Sequence, residues 1–584
     1  MKRLRMLNLV IACVAMVASW TMAPRATDAV QRAVAAGPPS DVLASVPRSA
    51  ELVLVIDRFG VFLDSPVGRA LWQAVVEMPP VTSEARRVLE SWGKLSGELG
   101  VTHREAIDRL IGTRVVLILR DIESKNDASR WAVLSVISEQ TDRELVAKLL
   151  PARRGLVEGH PTRAIESGKY EVTTHLHDEP GGPGPGHRPV SLLLTESGRS
   201  ELFDELIGVW SGRVRDTLAT TDMAREAAQA PDAPFLLAIR IDPDAPAARR
   251  PELDWSSFLL VTGNVTPTGL ELSVLLRDHV HEGGLAQIKP WSDAPLARLE
   301  PGAALAVMES RIARPAGEPQ SAEPTHIDAM FAKLGLSEPL GNLLVGRQLL
   351  VVRGVPGQSQ QGAGLPRVSV CIGAESNDLE SLASLGDQCI SENVVRMEGG
   401  AASAEPGELD IGGVACRAVR RTTAAVPPDR PLAQFFGSPV RLAWTYVPSG
   451  AGATPQAAAG ATTPGWWLVN VGEAPEGAVA GATDIERCQA ALGHAGGPGE
   501  AGEVRRWFSI GVLRPSGLAD LLGALTDIAD VRASMKRIDT IRWRLQVTPS
   551  QDIRGSVSVE TSPCDAPGAA RQRPADPPRG PSER

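Results

Sequence analysis

The sequence predicts an α+β protein: two tandem copies of a domain with a mainly antiparallel sheet packed by a few helices. Three observations predict it. Four landmarks of the first half recur in the same order in the second. Several segments alternate apolar and polar residues, as in Ser369-Val370-Cys371-Ile372 and Arg542-Trp543-Arg544-Leu545-Gln546-Val547, the pattern of an antiparallel sheet with one wet face. Helical segments are few and too irregularly spaced for a doubly wound sheet.

Taken in chain order, the first element is a leader over residues 1–26. Lys2, Arg3 and Arg5 form a positive region, and an apolar run follows from Leu7 to Trp20. At about 1.5 Å of helix per residue this run suits a signal peptide better than a membrane span. Thr21-Met22-Ala23 offers a cleavage site, as do Ala26 and the Ala33–Ala36 stretch. Two other readings stand beside export with cleavage. Val10-Ile11-Ala12-Cys13 has the form of a permissive lipobox, which would place lipid on Cys13, and the segment could also stay as an uncleaved anchor. Either would attach the protein to a membrane.

The landmarks then define copy 1 over residues 40–285 and copy 2 over residues 290–563. Leu43–Pro47 and Ala50–Val55 match Leu296–Pro301 and Ala303–Val307, each a proline turn feeding an apolar strand. Leu99-Gly100, a helical segment and Gly112 opening the strand to Arg120 match Leu334-Gly335 and Gly346 opening the strand to Arg353. A further strand follows each, Trp131–Ile137 and Val368–Ile372. Gly159–Ile165 matches Gly413–Val419 with identical spacing from Gly to Arg-Ala. Near the ends, Val265-Thr266-Pro267-Thr268 leads into Leu270–Leu276, and Val547-Thr548-Pro549-Ser550 into Ile553–Val559, each a hairpin.

Helices are expected at Val81–Leu99 and Arg199–Glu226, the latter with Leu202, Leu206 and Val209 on one face, and at Ile485–Leu492 and Gly517–Ile538. Glu179–Gly186, Ala313–Pro324 and Pro448–Pro464 read as breaker-rich loops or insertions. The tail, residues 564–584, has too little apolar content to pack and is expected to be disordered.

The opening of copy 1 resembles a family of exported bacterial proteins of unknown function. Members begin with a proline, a small residue, a strand and an Asp, followed by a Ser-Pro-x-Gly helix start. Val46-Pro47, Asp57 and Ser65-Pro66-Val67-Gly68 match that opening, and copy 2 lacks the Ser-Pro-x-Gly piece. The resemblance implies no activity, substrate or catalytic residue.

The chain holds 60 Lys and Arg against 69 Asp and Glu, a net charge of −9 over 584 residues, which gives no basic stripe for nucleic acid. Cys371, Cys389, Cys416, Cys488 and Cys564 all lie in the second half, and their odd number argues against an essential disulfide framework. No Cys-x-x-Cys, Gly-x-Ser-x-Gly or His-Glu-x-x-His occurs.

Partial matches are each better explained by structure or chance. His175 and His177, with His187 nearby, could share an ion from one strand face, and His279-Val280-His281-Glu282 has the same form. Two solvent-facing strand histidines are the simpler reading. Ser91-Trp92-Gly93-Lys94 has the Ser-x-x-Lys spacing without its companion motifs. Gly181–Gly186 lacks the Lys and helix of a phosphate loop. The pairs Phe435-Phe436, Trp466-Trp467 and Trp507-Phe508 read as core on one side of a strand, with the neighbour exposed or covered by a helix.

The expectation is therefore an exported protein of the periplasm, cell envelope or exterior, not an enzyme, with a binding or scaffolding role. Alternatives are a carrier of a lipid or other hydrophobic ligand, and a hydrolase whose site is assembled from scattered residues. No catalytic residue, metal ligand or cofactor is assigned. The sequence does not identify the binding residues. A protein, a hydrophobic ligand and membrane attachment through the N-terminal segment remain the open partners.

Overall fold

The computed structural model describes residues 39–65, 68–69, 100–102, 114–120, 130–137, 153–157, 160–167, 170–178, 190–195, 201–210, 213–230, 233–240, 255, 257–266, 268–277, 288, 290–292, 304–311, 347–354, 368–376, 378, 380–384, 387, 406–411, 414–419, 442–448, 465–471, 488, 504–518 and 538–561. The strands of the first half are β1 (Leu52–Asp57), β2 (Arg114–Arg120), β3 (Arg130–Ile137), β4 (Arg153–Val157), β5 (His160–Ser167), β6 (Tyr170–Asp178), β7 (Val190–Thr195), β8 (Phe235–Arg240), β9 (Phe258–Val265) and β10 (Gly269–Arg277). Those of the second are β11 (Trp291–Ser292), β12 (Ala304–Arg311), β13 (Arg347–Gly354), β14 (Val368–Ser376), β15 (Pro406–Ile411), β16 (Val414–Val419), β17 (Leu442–Pro448), β18 (Gly465–Val471), β19 (Val504–Arg505), β20 (Trp507–Leu513), β21 (Ile538–Val547) and β22 (Ile553–Thr561).

Among the described residues, all but β11 and β19 form one sheet of 20 strands, and every pairing is antiparallel. The mainly antiparallel sheet with few short helices is the fold class the alternation implies. From one edge to the centre the order is β4-β5-β6-β7-β3-β2-β1-β8-β9-β10. From the other edge it is β15-β16-β17-β18-β14-β13-β12-β20-β21-β22. Counting only the strands of this sheet, those met at each step hold the same rank within their half. The registers agree in detail: Val157 faces His160 and Arg163 faces Thr174, while Ile411 faces Val414 and Arg417 faces Trp444. A bulge between Ala304 and Ala306 accommodates one extra residue in β12.

Three short helices are described in the first half. α1 is Phe59–Asp64, α2 is Glu201–Trp210 and α3 is Asp222–Ala227. Ser65 ends α1, and its Oγ accepts from the Gly68 N–H at 2.9 Å. With the 3-10 segments Pro39–Ser45 and Leu218–Thr220, the helices cover one face of β1, β2, β3, β8 and β9. There Val53, Val55, Val116, Ile118, Leu236, Phe258 and Leu260 pack against Leu43, Leu202, Leu206, Leu218 and Met223.

The single helix expected over Arg199–Glu226 is instead broken. The chain doubles back at the end of α2, where the N–H groups of Arg213 and Val214 donate to the Gly208 carbonyl. A Cβ on Gly208 would lie 2.7 Å from the Val214 side chain, so the reversal uses the missing side chain. Pro47 then bridges Thr217, and Thr221 caps α3 by accepting from Ala224. The expectation over Gly517–Ile538 fails at its end, because Ile538 opens β21 and the β-branched Ile538, Thr540 and Ile541 pair with β22. The helix expected at Val81–Leu99 lies outside the described residues, and of Ile485–Leu492 only Cys488 is described. Among the described residues no helix is long and apolar enough to cross a membrane.

Candidate functional site at the central seam

The two halves meet where β10 runs against β22, with Leu270 opposite Val559, Leu272 opposite Val557 and Leu276 opposite Ile553. Ser273 stands opposite Ser556 at the middle of this pairing. The strands approach closely: a Cβ on Gly269 would lie 1.9 Å from the Val559 carbonyl oxygen.

The helix-covered face of the sheet changes character here. On that face the registers set out two rows across β9, β10, β22 and β21: Thr262, Ser273, Ser556 and Arg544, then Asn264, Glu271, Ser558 and Arg542. Asn264, Glu271, Ser273, Ser556 and Arg544 are exposed. At about 4.8 Å between strands the strip is about 14 Å wide. Both margins are buried core on the same face. Leu236 precedes Thr262 and Leu260 lies beside it, while Ile510 and Val512 follow Arg544 and Arg542. The strip is therefore a polar, hydroxyl-bearing floor between two apolar cores, and its two arginines stand about 7 Å apart along one strand.

One end of the floor is closed by an ion network. Arg277 donates from Nε to Asp552 Oδ1 at 3.0 Å and from Nη2 to Asp552 Oδ2 at 3.2 Å and Glu226 Oε1 at 3.1 Å. Arg554 Nη2 reaches both Glu226 oxygens at 3.0 Å. The guanidinium of Arg277 also lies 5.2 Å from the centre of the Phe258 ring. Glu226 belongs to α3 of the first half, and Asp552 and Arg554 to the last hairpin of the second, so the network ties the halves across the seam. The hydrogen bond to Asp552 holds the pKa of Arg277 above its ordinary value.

The opposite face of the seam is apolar and half-buried, with Leu272 beside Val557 and Trp543, Val274 beside Gly555 and Leu545, and Val559 beside Ile541. At the far end of this face Ile288, between the halves, packs with Val547 and Ile553.

Few of the residues singled out by sequence converge. His175 and His177 lie on β6 opposite Leu193 and Ser191. His187, His279, His281, Ser91, Lys94, Gly181–Gly186 and Phe435-Phe436 lie outside the described residues. Among the described residues no three His, Cys, Asp or Glu are placed to hold a metal ion. Cys371 and Cys488 are buried free thiols.

In β18 both Trp466 and Trp467 are buried, whereas in β20 Trp507 is buried and Phe508 half-buried. The reason lies in what meets each face. Trp466 meets the Arg347 guanidinium at 5.2 Å, which also stacks on Trp291 at 4.5 Å. Trp467 lies in register with Tyr446, whose hydroxyl bonds to Asp387.

Asp57, at the end of β1, pairs with Arg114 through both carboxylate oxygens. The corresponding register position of the second half sets Arg311 opposite Arg347, and Arg347 turns to tryptophan instead. The seam itself was missed from sequence. Its one local signal is the run of Ser273, Ser556 and Ser558 in strands that are otherwise apolar at alternate positions.

The chain matches no protein-family model, no curated protein and no solved structure.

Proposed function

We propose that the chain is an exported, non-catalytic binding or scaffold protein built from two copies of one sheet-forming unit, with the polar floor of the seam as its binding surface. The duplication is supported by the matched strand order on either side of β10 and β22 and by the landmark Arg163 and Arg417 sharing one register. Export is supported by the basic and apolar leader alone. The observation that carries the binding reading is the exposed row of Ser273, Ser556 and Arg544 between two buried cores. Mixed charge, hydroxyls and a flat surface suit a protein partner, which such a strip meets through hydrogen bonds rather than apolar burial.

The test places a photo-crosslinking residue at Ser273 or at Ser556 in the full chain expressed in its own compartment. An adduct of one defined mass from both positions, absent from the exposed hairpin position Ser550 and lost with Arg544→Glu, is the expected result. No adduct, or the same adduct from Ser550, removes the reading. N-terminal sequencing of the mature chain tests export, with the first residue expected after Ala23, Ala26 or one of Ala33–Ala36.

A second reading, a carrier of a hydrophobic ligand, is favoured by the half-buried apolar face around Leu272, Trp543 and Val557. An apolar fluorescent probe displaced by fatty acid, with displacement weakened by Val557→Asp, would support it. Failure of the probe to bind would dismiss it.

A further inference from the structure

Among the described residues β4 and β15 each pair on one side only, with β5 and β16. β4 carries Arg153 and Arg154, and β15 carries Glu408 and Asp410. We propose that copies of this chain join edge to edge, β15 of one against β4 of the next, as an open head-to-tail array. The inference rests on the edges and not on the binding surface proposed at the seam.

Strand direction follows from parity. All pairings are antiparallel and the strands number 20, so β4 and β15 point opposite ways. A second copy that continues the sheet beyond β15 therefore sets its β4 antiparallel to β15 of the first, with the same faces continuous.

Register follows from the same pairings. The transverse row that starts at Arg154 passes Arg163 and Thr174 and crosses the seam at Val274 and Gly555. It then reaches Tyr446 and, with the β16–β17 register carried on by two residues, ends at Asp410. Continuing this row across the joint puts Asp410 directly opposite Arg154 of the neighbour.

The charges favour that joint over its rivals. In register Arg154 stands opposite Arg163, and Asp410 opposite Ala415. The joint gives each an opposite charge. Pairing β4 with β4, or β15 with β15, would set like charges together. A heterologous contact of this kind repeats without closing. β4 has 5 residues, whereas β10 and β22 share 8 paired positions, so the joint is weaker than the seam and assembly depends on concentration.

Sedimentation velocity of the full chain over a concentration series tests this. Species beyond a dimer are expected to grow with concentration and shrink with added salt. Arg154→Glu and Asp410→Arg should each give a monomer with an unchanged circular dichroism spectrum. An equimolar mixture of the two should regain an array in which the variants alternate, because each sets an opposite charge against the other at both of its edges. The double variant should regain the array. A wild-type chain that stays monomeric, single variants that assemble as wild type does, or a mixture that assembles no further than either variant alone would overturn the proposal.

Discussion

Trp444 and Trp467 sit on neighbouring strands, both almost fully buried, and differ in one bond. Trp444 Nε1 donates to Asp387 Oδ1 at 2.7 Å, whereas Trp467 Nε1 is buried with no hydrogen-bond partner among the described residues, as is Gln348 Nε2. Phenylalanine at either position removes the same ring volume and the same N–H. At Trp444 the change breaks a hydrogen bond to a carboxylate; at Trp467 it removes a donor that already costs desolvation. Trp444→Phe is therefore expected to destabilise by about 2 kcal/mol more than Trp467→Phe in urea unfolding. Equal losses would show that Trp467 Nε1 has found an acceptor. Asp378 supplies a second expectation at this scale. It accepts from the Ser381 hydroxyl at 2.7 Å and the Ser381 N–H at 3.0 Å, and these bonds lower its pKa from the ordinary value. A carboxylate with a lowered folded pKa stabilises above its unfolded pKa and loses that contribution as pH falls through the folded one. Carboxyl resonances followed by NMR should show Asp378 titrating below freely exposed aspartates, and Ser381→Ala should move it back up.

Helix α3 and the last hairpin depend on each other through Arg277. Its pKa is raised, so its contribution to stability is complete at and below neutral pH and is lost only in strong alkali. The acidic partners are the accessible point of attack. The Asp552 side chain is 5% exposed and Arg277 17%, a nearly dry pair. Asp552→Asn leaves the guanidinium in place with a neutral partner and is expected to cost about 3 kcal/mol. The loss should show as increased amide exchange in both α3 and β22, 275 residues from Arg277 in sequence at Asp552. Exchange confined to the hairpin would mean that Glu226 holds α3 unaided.

Across the whole molecule, what could be read from sequence was local and what could not was long-range. Arg542–Val547 alternates because one face meets core and the other does not, and the turn at Val265–Thr268 announces its hairpin through Pro267 and the strand after it. The join of β10 to β22 carries no such mark, because pairing between strands separated by about half of the chain leaves no spacing signal. The break after α2 was hidden for a related reason: the periodicity of Leu202, Leu206 and Val209 continues a helix on paper, while Pro47, far upstream, bridges Thr217 and bends the chain. The place of β22 has a consequence for how the molecule is made. It is the last of the described strands, yet it belongs in the centre of the sheet, beside a strand finished nearly 300 residues earlier. As the chain emerges from one end, the first half can complete itself up to β10 and must then wait with that margin bare. The interval before Ile553 appears is thus the period of greatest exposure to premature association, and a protein truncated within it should precipitate or dimerise where the finished one stays dispersed at low concentration.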